Sequence, residues 1–196
     1  MAEPRRRDRP RLPAAQRRRQ IIEVTTRLIA ERGFWGLSMQ DVADGCGLTV
    51  PGLLHHVGSK DGLLIAVLEH RDAEDARSLT AELGTRHLDE VNLQQMCAAL
   101  VRRNASQPEI VRLFAVLEAE SLAPSHPAHE YFAARQEQVV AVFAGLAKST
   151  TDRPLELARQ LVAMMDGLQI QWLRSPGATD LVREWEAAAR TLFAPL

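Results

Sequence analysis

The stretch from Ser38 to Lys60 constrains the fold of this chain most strongly, because its pattern predicts two short helices separated by a tight turn. Ser38 is placed to cap the first helix, with Asp41 three positions later as in a capping box. Gly47 is a natural stop, since glycine enters the left-handed region at little cost. Thr49 can cap the second helix. Together these features predict a helix-turn-helix, whose second helix enters a DNA major groove.

The second helix of this motif has an inner and an outer side. Leu53, Leu54 and Val57 are apolar, and we expect them to pack inward against the rest of the motif. The positions expected to face outward or to lie at the edge are Thr49, Val50, Gly52, His55 and His56.

Helical patterns continue on both sides of the motif. An amphipathic helix is predicted at 14–32, and Phe34 and Trp35 in the following link should fold back to seal the small core. A long, charged helix, predicted at about 60–84, would connect two domains. The sequence therefore predicts an all-α protein of about nine helices, with a three-helix N-terminal head and a larger C-terminal helical domain. The remaining helices are predicted at 89–106, from 108, at 127–148, from 154 and at 179–193.

Charge is unevenly distributed along the chain. Residues 1–60 contain 11 Lys and Arg against 6 Asp and Glu, whereas residues 61–196 contain 13 against 19. A basic N-terminal third is typical of a nucleic-acid-binding module attached to another domain. Residues 1–13 hold five arginines and three prolines and are predicted to form a disordered basic arm. This arm would either solubilise the chain or bind DNA phosphates.

Several classes of protein are disfavoured by motifs that the sequence lacks. The sequence contains no run of about 18 apolar residues, so no membrane span is predicted. It also has no recognisable secretory signal, so a cytoplasmic protein is expected. Cys46 and Cys97 lie in helical patterns, where buried thiols are expected instead of a disulfide. A redox switch at Cys46 is the weaker alternative. No catalytic or cofactor-binding motif is present, so neither an enzyme nor a cofactor is expected.

One loop invites a metal-binding interpretation. His126 and His129 are three residues apart and Glu130 follows, so these side chains have the chemistry to chelate an ion. No cysteine or further carboxylate cluster completes the set. The simpler interpretation is that these residues cap the loop, and we predict no metal here.

Residues 17–68 resemble the TetR family of bacterial transcriptional repressors. The resemblance rests on an amphipathic helix that ends in Glu31-Arg32-Gly33, on the helix-turn-helix at 38–57, and on the closing signature at 56–63. The run at 165–173 is also similar to a segment of one large subgroup. This resemblance implies an all-helical homodimer whose first three helices bind double-stranded DNA. It also implies that a small-molecule inducer in the C-terminal core releases the operator, without catalysis.

The resemblance also suggests which side chains meet DNA. Ser38 would bind a phosphate at the start of a helix, His55 is the best polar reader of bases, and Lys60 would contact a phosphate. Most relatives carry a tyrosine where this chain has Leu54, so that phosphate contact is either lost or replaced by the arm or by the arginines at 17–19. The predicted DNA-binding residues are Arg17, Arg18, Arg19, Ser38, Gln40, Thr49, Val50, Pro51, Gly52, His55, His56 and Lys60.

An apolar effector cavity is predicted within the fifth to eighth helices, where methionines adapt to irregular ligands and a few polar groups orient them. The expected effector is small and hydrophobic or amphipathic. The predicted lining residues are Met96, Leu100, Arg103, Phe114, Leu117, Glu118, Met165, Gln169 and Trp172.

The last two helices have apolar faces that we expect to be too broad for one subunit to cover, which predicts a homodimer and a pseudo-palindromic operator. The chain is accordingly divided into an arm at 1–13, a DNA-binding domain at 14–60, and a ligand-binding and dimerisation domain at 61–196. The alternative is a helical sensor or scaffold that has lost specific DNA binding. This alternative is suggested by Leu54 and Pro51, because neither side chain can form a hydrogen bond with DNA. The predicted dimer residues are Leu161, Leu168, Leu181, Trp185, Ala188 and Leu192.

Overall fold

The computed structural model describes residues 12–85, 91–175 and 177–193. Within those ranges the chain forms nine α-helices and no strand, which confirms the predicted fold class. Most of the predicted arm lies outside the described residues. The helices are α1 (Ala14–Arg32), α2 (Met39–Cys46), α3 (Val50–Val57), α4 (Lys60–Leu83), α5 (Leu93–Ala105), α6 (Pro108–Glu120), α7 (His129–Ala147), α8 (Pro154–Arg174) and α9 (Leu181–Leu192). None of them is long and apolar enough to cross a membrane.

Local capping explains where these helices begin and end. The Ser38 hydroxyl accepts a hydrogen bond from the Asp41 amide at 3.0 Å, and the Thr49 hydroxyl accepts one from the Gly52 amide at 3.2 Å. Gly47 ends α2 in the left-handed conformation, with φ of 64°. The capping box is only half formed, because the Asp41 carboxylate lies 3.4 Å from Arg32 Nη1 instead of returning to the cap.

The first apolar core holds the N-terminal helices together. Ile21 and Ile29 of α1, Leu53 of α3 and Leu64 of α4 are fully buried in it. This core does not stop at the end of α3. It takes in the first half of α4, Leu113 and Leu117 of α6, and Phe132 of α7.

The second apolar core lies among the remaining helices. It joins the end of α4 to α5, α7, α8 and α9, with Met96, Leu161 and Trp185 almost fully buried. Helices α7 and α8 pack against each other along much of their length. The two cysteines are free and buried, one in each core, as predicted.

Two predictions of burial in the head are wrong. Leu54 is 37% exposed, because α3 is only two turns long and Leu53 and Val57, four residues apart, already provide its inner stripe. Trp35 is 60% exposed. Phe34 alone fills the space that both aromatic rings were expected to share, and it is buried as predicted.

The predicted dimer residues need correction as well. Leu161, Leu181 and Trp185 are each at most 2% exposed within the single subunit, so a partner cannot reach them. The reason is that α9 packs its apolar side on α5 and α8 of the same chain. Leu168, Ala188 and Leu192 are only partly buried.

Candidate nucleic-acid interface

Helix α3 is presented to solvent along the side that the sequence predicts to read DNA. Leu53 anchors the helix in the head core, and this anchoring turns the opposite side outward. Thr49, Pro51 and His55 are exposed, while Val50, Gly52 and His56 are partly exposed. The side chains of Thr49, His55 and His56 carry hydrogen-bonding groups on this face, and the Thr49 hydroxyl already accepts a bond from the Gly52 amide.

The start of α2 forms the second part of this surface. Ser38 and Gln40 are exposed, and the free amide groups of the first turn favour an anion such as a phosphate. The Gln40 side chain donates a hydrogen bond to Asp44 Oδ1 at 2.8 Å within the same helix. This bond uses one N–H of the Gln40 amide, and the second N–H and Oε1 remain available for a base or a phosphate.

Two predicted DNA-binding cations already have partners inside the head. Arg17 Nη1 donates to the Cys46 carbonyl at 3.2 Å and to Gln20 Oε1 at 2.7 Å, so Arg17 satisfies the C-terminal end of α2. Lys60 Nζ lies 4.5 Å from the centre of the Phe34 ring. The exposed arginines nearest to these positions in sequence are Arg18 and Arg19.

The histidines of the α6–α7 loop are used within the loop. His126 Nδ1 accepts a hydrogen bond from the Ala128 amide at 3.1 Å, and His129 Nδ1 lies 2.8 Å from the Ser121 carbonyl. In the described part of the chain, no group of three or more His, Cys, Asp or Glu is arranged to hold a metal ion. Burial lowers the pKa of His126, although Glu120 and Asp61 act in the opposite direction.

The predicted effector residues are divided between the two cores. Leu117 is buried in the first core and Phe114 packs against it, whereas Met96 and Met165 are buried in the second. Leu100 and Trp172 pack against the second core from partly exposed positions. Two surface grooves, of about 460 and 420 Å³, lie between α5 and α9 and between α7 and α8, and neither is lined by a predicted effector residue.

Polar side chains cross the boundary between the two cores, and sequence patterns did not single most of them out. Arg103 Nε donates to Asp75 Oδ1 at 2.9 Å, and Asn104 Nδ2 donates to Gln169 Oε1 at 3.2 Å. Nearby, Asp72 of α4 accepts hydrogen bonds from Tyr131 and Arg135 of α7. In the sequence, the acidic residues of α4 are indistinguishable from those of a solvated connector. Only their partners on α5 and α7 reveal their role.

Asp166 and Glu118 add negative charge to this polar layer. Burial first, and the nearby Glu118 carboxylate second, raise the pKa of Asp166 to about 6. The burial of Tyr131 and its contact with Asp72 raise the pKa of that phenol. Glu118 and Gln169, which were predicted to orient an effector, are therefore part of a layer that also contains Asp72, Tyr131 and Asp166.

Comparisons with known proteins agree with this geometry. Residues 21–67 match the model of the bacterial regulatory proteins of the tetR family. Over 169 residues the chain is 25% identical to the HTH-type transcriptional regulator PksA of Bacillus subtilis, covering 82% of this chain and 80% of PksA. A second relative, the HTH-type transcriptional regulator BetI of Brucella anthropi, is 26% identical over 162 residues, covering 79% of this chain and 80% of BetI.

Solved structures show the same fold at low identity. A transcriptional regulator from Saccharomonospora viridis, solved in complex with choline, superposes with a TM-score of 0.70 at 23% identity, over 90% of this chain and 96% of that one. AibR, solved with isovaleryl coenzyme A and operator DNA, superposes with a TM-score of 0.67 at 22% identity, over 92% and 100% of the two chains.

Proposed function

We propose that this chain, which is a TetR-family transcriptional regulator, is a cytoplasmic repressor that binds a pseudo-palindromic operator as a dimer and leaves it when a small molecule binds. The observation that carries the proposal is the geometry of α3. It is capped at Thr49, anchored by Leu53, and open to solvent on the face expected to enter the major groove.

On this surface we assign different tasks to different residues. His55 reads base edges, because it is exposed and carries hydrogen-bonding groups, while Val50 and Pro51 offer only apolar contact such as with a thymine methyl. Ser38 and the first turn of α2 meet a phosphate. Arg18 and Arg19 supply salt-dependent attraction, and Arg17 orients the turn from behind through the Cys46 carbonyl.

A gel shift on the DNA that flanks the protein's own gene tests this assignment. We expect the fragment to be retarded, and we expect unrelated DNA to compete poorly for the protein. Retardation should weaken as the salt concentration rises. His55→Ala should reduce the preference over competitor DNA, whereas Lys60→Ala should weaken binding to all DNA about equally. No retardation under any condition would favour the alternative, a sensor or scaffold without DNA binding.

We place the effector site in residues 61–196, at the polar layer between the two cores. An amphipathic molecule fits this position, since apolar side chains of α5, α6 and α8 lie beside Arg103, Glu118 and Gln169. The structural neighbours solved with choline and with isovaleryl coenzyme A support a small-molecule response. Because Met96 and Leu117 are tightly buried, the effector must select a more open packing of these helices.

A thermal-shift screen tests the effector site. A compound at 100 times its dissociation constant stabilises the folded state by about 2.7 kcal/mol if it binds only that state. The same compound should lower DNA retention in the gel shift. Uniform failure across diverse small hydrophobic and amphipathic compounds would contradict the site.

For the dimer we propose the outer faces of α7 and α8. Val142 and Ile170 are exposed there, and Gly145 in the last turn of α7 and Gly167 in the middle of α8 have nothing within 4 Å of the position that a Cβ would occupy. A glycine in the interior of a helix costs about 1 kcal/mol relative to alanine, and the subunit itself gives no steric reason for Gly167. Close approach of a second copy of the chain supplies that reason. The proposed interface keeps α8 from the predicted pair of helices and replaces α9 with α7.

A further inference from the structure

The DNA-binding head is joined to the rest of the molecule by a carboxylate at the end of α6. Glu120 Oε2 accepts a hydrogen bond from the Phe34 amide at 3.0 Å, just after α1 ends. Glu120 Oε1 lies where a side chain on Gly33 would be, 2.4 Å from the position of a Cβ. Gly33 has a φ of +72°, which favours glycine, and the absence of a Cβ there leaves room for the carboxylate. The carboxylate is therefore seated on the backbone that leaves α1.

A buried histidine lies beside this carboxylate. The His126 side chain is 0% exposed and contacts the rings of Phe34 and Trp35, with ring centres 5.2 and 5.5 Å apart. Its Nδ1 accepts a hydrogen bond from the Ala128 amide, so the neutral ring carries its proton on Nε2. Nε2 has no hydrogen-bond partner and lies 3.8 Å from Glu120 Oε2. A buried donor left without a partner is costly and calls for an explanation.

We propose that Glu120 is the positioning residue through which the effector half fixes the DNA-binding head, and that His126 releases this contact when it takes up a proton. The inference rests on the proposed function, because it concerns how operator binding is regulated. The charged groups that face His126 are Glu120 from α6 and Asp61 from α4, with Lys60 on the Phe34 ring against which His126 packs. Glu120 is within 4 Å, so it is the group that a buried imidazolium would bind.

The physical consequence of protonation is a competition for Glu120. A charge-assisted hydrogen bond from Nε2 would have a length of about 2.8 Å, so the carboxylate must move by roughly 1 Å. Movement toward His126 lengthens the hydrogen bond from the Phe34 amide and loosens the end of α1. The head then loses its fixed angle to the second core. Because burial lowers the pKa of His126, we expect this release at pH values below the ordinary pKa of a histidine side chain.

Two further histidines, His55 and His56, lie on the side of α3 that we propose meets DNA, so they also contribute to operator binding. The release at His126 must therefore be measured as a difference between variants that share the same DNA-facing histidines.

The amide signal of Phe34 in a nuclear magnetic resonance titration tests the contact without DNA. In the wild-type protein we expect this signal to move with a midpoint below about 6.5, the ordinary pKa of histidine. In His126→Asn, which keeps an acceptor for the Ala128 amide, and in His126→Gln the midpoint should be absent. His129→Gln, at the start of α7, is the matched control: it removes the other nearby histidine, whose Nδ1 lies 2.8 Å from the Ser121 carbonyl, and should titrate like the wild type. A Phe34 titration that persists in both His126 variants would overturn the proposal.

The second measurement is the affinity of each variant for operator DNA. The probe is the DNA fragment that the wild-type protein retards in the gel shift. Glu120→Gln keeps an acceptor for Phe34 and should retain affinity at pH 7, but the affinity difference between it and the wild type should change on acidification. Glu120→Ala removes the acceptor and should weaken binding by roughly tenfold, a typical size for coupling between sites. Equal affinities of wild type and Glu120→Ala, with parallel pH profiles for Glu120→Gln, would overturn the positioning role. If the wild type retains no fragment, the proposed function fails, while the Phe34 titration still decides whether His126 controls the contact.

Discussion

At the scale of single residues, Leu54 is an apolar position on the side of α3 that we propose meets DNA. It is 37% exposed, and its side chain offers no hydrogen bond to a phosphate. We expect Leu54→Tyr to tighten binding to all duplexes by roughly tenfold, because one hydrogen bond to a charged group contributes about 1.5–3 kcal/mol. Fluorescence anisotropy with labelled duplexes measures this change. Leu54→Phe is the matched control without the hydroxyl, and equal affinities of the Tyr and Phe variants would contradict the assignment.

Asp166 makes the stability of the fold depend on pH. Its pKa is raised from 3.8 to about 6, chiefly by burial, so the folded protein holds this proton more tightly than the unfolded chain. The free energy of unfolding therefore falls as the pH rises from about 4 to about 6. We expect Asp166→Asn to be more stable than the wild type by roughly 1–3 kcal/mol at pH 7 and nearly equal to it at pH 4. Urea unfolding at both pH values measures the difference, and a variant no more stable at pH 7 than at pH 4 would contradict the burial of this charge.

At the scale of helices, α6 belongs to both halves of the molecule. Its Leu113 and Leu117 are fully buried in the core of the head, although the helix lies within the predicted effector domain. We expect Leu117→Ala to reduce the free energy of unfolding by roughly 2–5 kcal/mol, because the cavity is enclosed by both halves. Chemical denaturation measures it. Leu122→Ala, at a position that is 79% exposed just beyond α6, should change stability by at most about 0.5 kcal/mol.

The accuracy of the structure predicted from the sequence also differs from one helix to the next. Helix α1 begins and ends where its periodicity and Gly33 predict, and Ser38 and Thr49 cap their helices as expected, because these signals are local. The exposure of Leu54 and Trp35 was predicted wrongly, since local patterns do not say which neighbour fills a shared space first. The bond from Phe34 to Glu120 joins residues 86 positions apart, and no local signal indicates it.

At the scale of the whole molecule, the assembly depends on which helix faces are left free. Trp185 and Leu181 bury the apolar side of α9 inside the subunit, and we therefore propose that a partner packs on α7 and α8. We expect Ala163→Arg, on the exposed face of α8, to convert the dimer to a monomer, because a large charged group would meet the partner's closely packed helices. Ala187→Arg, on the exposed face of α9, is the matched control and should leave the dimer intact. Sedimentation at micromolar concentration distinguishes the two, and a monomer from Ala187→Arg alone would return the interface to α9.

In the proposed dimer, α3 of each subunit reads one half of a specific DNA sequence. Selection of binding sites from a random duplex library measures this recognition without assuming the operator or the regulated gene. We predict enrichment of a pseudo-palindromic sequence whose half-sites are about 10 base pairs apart or a multiple of that, as for other dimeric helix-turn-helix proteins. His55→Ala should select a less defined half-site. If the wild-type dimer enriches no sequence at low salt and without effector, sequence-specific reading by α3 is contradicted.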